Sequence, residues 1–452
     1  MSEAPPNSSD QNSHHRNRAI TSAVVTSLAS KLGTVLLQLV SIPIAIRVLG
    51  KEDFGLYATI AVSIGTIVLF QIGIGPALTH GISRSVTAKD KLLEKQYTST
   101  SWFLLIALTI IGGLIAAAIL TFIPPTFFFG DKFNGLESKL LSGLWLALGI
   151  ILLELILSHT ERLREGFLEV HINNLFGAAG NILGAITIAA GIHFFRSIEF
   201  LILAIFGTRA LLRLANTIHL FWQRSELFPR FIHFKKYLAK EMLVDGFAFT
   251  VSQSITSIIE LNGCGLLVAR FLGPVAVGHF MIYMNIATLM TGVIIMFTTP
   301  TWPAVVDAFT RRDYAWVKLA TKRLWLLVGA CSGAALLGLP LLGTFILPFI
   351  YGSDFDARWE LLFAFAIYFA VSSWGHTNNS LLIGVGLVKR AAVFSLLETS
   401  LLLIPVTIGI YLFDLVGVFG GMAVAMFAIT GWLFPLLLIR RIRTSVLTPA
   451  PT

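Results

Sequence analysis

The stretch "IRVLGKEDFGLY", Ile46 to Tyr57, decides the fold because it returns as "ARFLGPVAVGHF", Ala269 to Phe280. Placing Arg47 on Arg270, Leu49 on Leu272, Gly50 on Gly273 and Gly55 on Gly278 fixes an offset of 223 residues. A second match follows at an offset of 222, where "FFFGDKFN", Phe127 to Asn134, meets "FIYGSDFD", Phe349 to Asp356. Two matches in the same order at one spacing mark an internal repeat.

The surrounding composition says what is repeated. The chain has 452 residues, 56% hydrophobic and 13% charged, with a mean hydropathy of +0.81, too little polar surface to wrap a soluble globule. A bilayer crossing takes about 20 apolar residues as a helix. Twelve such runs lie near 20–47, 54–79, 99–123, 140–160, 172–195 and 199–222, then 244–271, 277–303, 322–348, 359–386, 391–413 and 415–439. Each copy of the first pattern joins runs 1 and 2 of its set, and each copy of the second joins runs 3 and 4. Six is even, so the chain re-enters the second set from the same side; the repeats are parallel, related by an axis along the membrane normal. The predicted fold is all-α and polytopic, with about 12 transmembrane helices in two parallel six-helix lobes around a central cavity. The expected divisions are a disordered tail (1–19), an N-terminal lobe (20–223), an amphipathic linker (224–243), a C-terminal lobe (244–440) and a second tail (441–452).

A formal charge of +9 raises the question of nucleic acid, and the placement of the 33 Lys and Arg residues answers it. With the N-terminus inside, 23 fall on inner segments and only Arg47, Lys51, Lys132, Lys139, Arg196, Arg270 and Arg358 on outer loops. This is the positive-inside asymmetry; it places both termini in the cytoplasm and requires no nucleic-acid partner. Cys264 and Cys331 lie in apolar runs, so no disulfide framework, metal cluster or cofactor is indicated. The linker "RSELFPRFIHFKKYLAKEML", Arg224 to Leu243, interleaves aromatic and basic residues and reads as an amphipathic helix on the inner leaflet.

Ionisable groups at bilayer depth are costly and usually face a cavity or a partner. Lys31, Glu154, Arg209, Arg213, Glu260 and Glu398 are such groups, and Arg209 and Arg213, four apart, share a helix face. One reading is internal salt bridging, for example Lys31 with Glu260. The other is a basic, watered vestibule in which Lys31, Arg209 and Arg213 hold an anionic headgroup such as a diphosphate, with Glu260 a site for a coupling cation. Arg47 and Arg270, three residues before the hairpin glycines, fit either as outer-edge anchors or as anion-capturing groups at a cavity mouth. Pro76 in "QIGIGPALTHGISR" and Pro300 and Pro303 in "TTPTWPAVVD" fit either static kinks or gate hinges. Asn173, Asn174, Asn378 and Asn379 could bond sugar hydroxyls or, as favoured here, neighbouring helices.

The stretches Ile44–Arg84, "LVARFLGPVAVGHFMIYMNIA" (Leu267–Ala287) and "YGSDFDARWELL" (Tyr351–Leu362) together resemble polysaccharide, or O-antigen-type, flippases of the multidrug/oligosaccharidyl-lipid/polysaccharide exporter superfamily, over roughly residues 20 to 440. That resemblance implies two six-helix lobes rocking about a cationic cavity, to move polyprenyl-diphosphate-linked oligosaccharide across the bacterial inner membrane. Arg47 and Arg270 are the motif positions that carry over. The implied partners are the lipid-linked glycan, membrane lipids, a coupling proton or sodium ion, and glycan assembly proteins. A cation-coupled multidrug exporter would want a more acidic intramembrane set. A membrane glycan polymerase or ligase would want catalytic residues on substantial outer loops, which here reach only about 16 residues. The sequence therefore points to a transporter rather than an enzyme.

Overall fold

The computed structural model describes residues 26, 30–67, 74–253 and 255–447, and every regular element among them is helical. The expected 1–19 tail lies outside the described residues. The first crossing, Ser30–Leu49, contains a π turn at Leu37–Ser41 and ends in α1 (Ile42–Leu49). There follow α2 (Lys51–Gly65), α3 (Ile74–Thr87), α4 (Lys91–Phe122), the short α5 (Pro125–Phe129), α6 (Glu137–Gly166), α7 (Val170–Phe195), α8 (Ile198–Ile202) and α9 (Thr208–Gln223). The remainder is α10 (Lys236–Gln253), α11 (Ile255–Ile258), α12 (Cys264–Leu272), α13 (Pro274–Thr310), α14 (Tyr314–Gly338), α15 (Thr344–Tyr351), α16 (Trp359–Gly384), α17 (Val388–Met426) and α18 (Trp432–Leu447).

Among the described residues, seven helical spans are long and apolar enough to cross a bilayer unaided. The last of them, Val388–Ser445, holds two of the predicted runs, separated where the backbone leaves helical geometry at Phe413 and Asp414. That break falls between the runs read as 391–413 and 415–439. Other runs are divided by π turns, at Leu203–Gly207 between α8 and α9 and at Ile259–Gly263 between α11 and α12. The chain is thus an all-α, multi-pass membrane protein. The final helix continues through Leu447, beyond the predicted start of the tail at 441.

The hairpin glycines have the conformation the repeat requires. Gly50 and Gly273 end α1 and α12 at φ 86° and 89°, and the Gly50 N–H donates to the Ile46 carbonyl at 2.9 Å. Gly130 and Gly352, the second matched pair, also have positive φ, 78° and 110°. At such angles a Cβ is strained, and glycine relieves it.

By its contacts the chain forms two compact units, and they interleave in sequence. Among the described residues, one takes those up to Asp53, Ile67–Pro125 and Leu136–Thr250; the other takes Phe54–Thr66, Thr126–Gly135 and those from Val251 onward. The expected divisions were contiguous, and the reason for the difference is the repeated motif itself. A Cβ on Gly55 would collide with the backbone carbonyl of Pro274, and one on Gly278 would lie 3.2 Å from Phe54 Cδ1 and 3.5 Å from Gly55 Cα. The second glycine of each copy therefore serves close backbone approach within the second unit, as small residues do where membrane helices pack.

The rest of the second unit is organised on an aromatic core. Tyr283 lies 4.9 Å from Phe365 and 5.5 Å from Phe419 between ring centroids, and its hydroxyl donates to the Asp356 carbonyl at 2.7 Å. Tilted and edge-on pairs of this kind add to area burial. They tie the "YGSDFD" turn to α13, α16 and α17. Gly409 and Gly417 bring the two arms of α17 into backbone contact across the Phe413–Asp414 break.

In the first unit the linker departs from expectation. It is not one amphipathic helix but two single turns, Ser225–Leu227 and Phe231–His233, before α10 begins at Lys236. Pro229 disfavours helix at the residue before it. The freed backbone donors find side chains on α4, Arg230 N–H on Ser99 Oγ at 3.1 Å and Lys235 N–H on Thr100 Oγ1 at 3.0 Å.

Candidate functional site

Two polar centres stand out, one inside each unit. In the first, α6 and α9 face one another. Glu154, on α6, is 1% exposed at its side chain and accepts a bidentate pair from Arg209, Nε to Oε1 at 2.7 Å and Nη2 to Oε2 at 2.8 Å. Arg213 lies one helical turn further on α9. It reaches Glu154 Oε2 at 3.3 Å and makes its own fork to Glu161, 2.9 and 3.2 Å. The spacing is matched on both helices, since arginines four apart meet carboxylates seven apart, one and two turns along a face. The two arginines are thus charge-balanced, and the internal-pairing reading describes them. The pairing is asymmetric in depth: Arg209 and Arg213 are 40% and 25% exposed, with the Glu154 carboxylate behind them. The buried carboxylate fixes both guanidinium planes, and the Phe206 ring covers one side of the Arg209 guanidinium at 5.1 Å. Arg209 also lies two residues after the π turn at Leu203–Gly207, and such turns recur at functional positions.

Sequence reasoning missed a neighbouring network. Arg164, counted only as an inner positive charge, is fully buried. Its guanidinium donates to Asn216 Oδ1 at 2.7 Å, Glu169 Oε2 at 2.8 Å and His219 Nδ1 at 2.7 Å. Arg224 joins through Glu169 and stacks 4.1 Å over the Phe167 ring. Asn216 in turn donates to Asn173 Oδ1 at 3.1 Å, so Asn173 binds a neighbouring helix, as favoured from the sequence. Nothing in the local spacing separates Arg164 from the exposed Arg162 two residues earlier.

The second unit holds a cavity of about 370 Å³. Glu260, from the π turn Ile259–Gly263, accepts from Tyr368 Oη at 2.8 Å, and Glu398 on α17 accepts from Thr430, itself in the π turn Phe427–Gly431. Both carboxylates line the cavity, with Asn285, His376, Asn379 and Ser372 among the polar neighbours and Met284, Met426 and Phe434 among the apolar ones. Asn378 faces away, accepting from Trp325 Nε1 and donating to the Trp374 carbonyl. Among the described residues, no group of three or more His, Cys, Asp or Glu is arranged to hold a metal ion.

The other predicted positions fall elsewhere. Lys31 is half-buried on the first crossing, and Arg47 is exposed in the last turn of α1. Arg270, exposed in the last turn of α12, donates to the Thr126 carbonyl at 3.2 Å, so one of its bonds ties the 126–135 segment to the second unit. Pro76 is in the first turn of α3, where its missing N–H is tolerated. The helical backbone of α13 runs through positions 300 and 303, whose side chains lie outside the described residues. These residues are not gathered into either centre.

The profile of a family described as "Polysaccharide biosynthesis protein" matches residues 20–309. A protein of Escherichia coli (strain K12) named "Putative O-antigen transporter" is 23% identical over 323 residues, 68% of this chain and 70% of that protein. In fold the chain resembles an inward-facing multidrug resistance transporter of the MATE family, in the MOP superfamily, with a TM-score of 0.74 and 16% identity, over 94% of this chain and 99% of the other. A MOP superfamily transporter from Pyrococcus furiosus, described by the reverse polarity of its binding pocket, gives a TM-score of 0.63 at 14% identity, over 94% and 96%.

Proposed function

The chain belongs to the polysaccharide biosynthesis protein family, and on that premise we propose that it is a flippase of the MOP superfamily, a transporter and not an enzyme. Its substrate is a polyprenyl-diphosphate-linked oligosaccharide, moved from the inner to the outer leaflet of the bacterial inner membrane by alternating access, with both chain termini cytoplasmic. The observation that carries this reading is the Arg209–Arg213 pair, held by Glu154 and Glu161 on the joined faces of α6 and α9. A diphosphate offers several anionic oxygens, and paired guanidinium planes are the protein groups best shaped to meet them. The polyprenyl tail is soluble in hydrocarbon, so only the headgroup and sugars need a polar route. An inside-negative potential favours outward movement by about 2.3 kcal/mol per negative charge per 100 mV. Exchange for a proton or sodium ion at Glu260 supplies a second drive. Lys31, Arg47 and Arg270 add positive charge along the route, and Pro76, Pro300 and Pro303 are the hinge positions of this proposal.

The test is complementation of a strain that lacks its own flippase. Arg209→Gln and Arg213→Gln are expected to abolish surface glycan while both proteins remain folded in the membrane. Wild-type glycan from both would sink the assignment of this pair to the substrate.

A further inference from the structure

We infer that the cavity of the second unit is a saccharide subsite, taking one sugar ring of the transported glycan; the inference rests on the flippase reading above. A sugar ring presents hydroxyls that both donate and accept, and C–H faces that are apolar. A matching site therefore needs acceptors, donors and an apolar wall together. The cavity supplies all three. Glu260 and Glu398 are acceptors, the first oriented by the hydroxyls of Tyr368 and Ser372 and the second by that of Thr430, with further lone-pair directions on each carboxylate. Asn285 and Asn379 line the same space with amides that can donate and accept, and among the described residues neither side chain has a hydrogen-bond partner. Met426 and Phe434 supply the apolar surface.

The backbone supports a built site rather than a packing gap. Glu260 leaves its helix in one π turn and the hydroxyl that orients Glu398 leaves another, and both are aimed at this cavity. Asn379 differs from Asn173, Asn174 and Asn378, which spend their amides on neighbouring groups of the protein. The volume of about 370 Å³ is near the lower end for small-molecule sites, room for a ring and not for a run of sugars. A bound sugar would hydrogen-bond the carboxylate that an exchanged cation needs, so occupancy by one displaces the other.

Equilibrium dialysis of the purified full chain in lipid nanodiscs, with tritiated glucose and tritiated N-acetylglucosamine as probes, tests this. Saturable binding is expected for at least one probe. Asn285→Ala combined with Asn379→Ala should weaken it about tenfold or more, the loss of one to two net hydrogen bonds. Asn379→Ser keeps a hydroxyl in place and should retain part of the binding, which separates lost contacts from lost folding. Leu326→Ala, on an exposed face of α14, should leave it unchanged. Absence of saturable binding to either probe, or binding unaltered in the double variant, overturns the subsite. Flipping of a lipid-linked oligosaccharide by the same nanodisc preparation, reconstituted into vesicles, is measured alongside. A protein that flips but binds no sugar overturns the subsite alone; one that binds sugar but does not flip overturns the flippase reading and upholds the site.

Discussion

Replacing Glu154 by glutamine removes the negative charge from between Arg209 and Arg213 while keeping shape and hydrogen-bonding capacity. Two unit charges about 4 Å apart interact by about 4 kcal/mol at an effective dielectric of 20. Arg209 is 40% exposed and Arg213 retains Glu161, so screening and the second partner reduce the expected cost to about 1–2 kcal/mol. That corresponds to roughly a five- to thirtyfold rise in the unfolding constant. The assay is equilibrium unfolding by SDS in mixed micelles, followed by circular dichroism. Arg209→Gln alone should cost at least as much, because it leaves a 1% exposed carboxylate with only the 3.3 Å contact to Arg213. The Glu154→Gln, Arg209→Gln double variant should recover most of the loss, since the buried charge and its half-exposed partner are then removed together. Transport separates the roles: the recovered double variant should still fail to restore surface glycan. Unchanged stability of Glu154→Gln would refute the electrostatic account of this centre. A stable double variant with full glycan would refute a substrate role for Arg209 and leave the pair purely structural.

Other outcomes follow from particular contacts. Gly55→Ala has an ordinary backbone angle but no space beside the Pro274 carbonyl, so it should lower stability by about 1–3 kcal/mol through overpacking, read by the same SDS unfolding. Gly50→Ala meets nothing within 4 Å, so its penalty, about 1–3 kcal/mol, should come from the backbone angles alone; φ 86° with ψ 170° lies outside the left-handed helical region that asparagine tolerates, so Gly50→Asn should cost about as much as Gly50→Ala. Arg164→Leu leaves Glu169 with Arg224 but strips the buried Asn216 Oδ1 of its donor and should cost about 1–3 kcal/mol, seen as loss of folded protein from membranes; normal yields would contradict the burial of that network. Trimming Arg270 to Ala should free the segment held at Thr126, detected as faster amide exchange over 126–135 with transport of the glycan reduced less than in Arg209→Gln.

The sequence by itself determined the helical class, the bilayer, the repeat and most helix boundaries. Hydrocarbon allows only internally hydrogen-bonded segments, so apolar length and glycine position translate almost directly into crossings and turns. Gly50, Gly130, Gly273 and Gly352 all have the positive φ that their place after a helix requires. The motif's first glycine acquires a local role that sequence could suggest, a helix end. Its second glycine does not: Gly55 and Gly278 meet each other across elements more than 200 residues apart, and that contact carries 54–66 into the second unit.

Only the tertiary structure decided which charges are partners. Arg162 and Arg164 are two residues apart, yet one is exposed and the other buried against Asn216, Glu169 and His219, because a two-residue step on a helix turns through more than half a circle. Glu154 and Arg209 looked like separate intramembrane charges until α6 and α9 brought them to 2.7 Å. Asn378 and Asn379 are adjacent, but one bonds Trp325 of α14 and the other opens onto the cavity of the second unit. Helix formation is written in neighbours along the chain. Pairing of polar groups depends on rotation and register between helices distant in sequence, and that information exists only once the helices have packed.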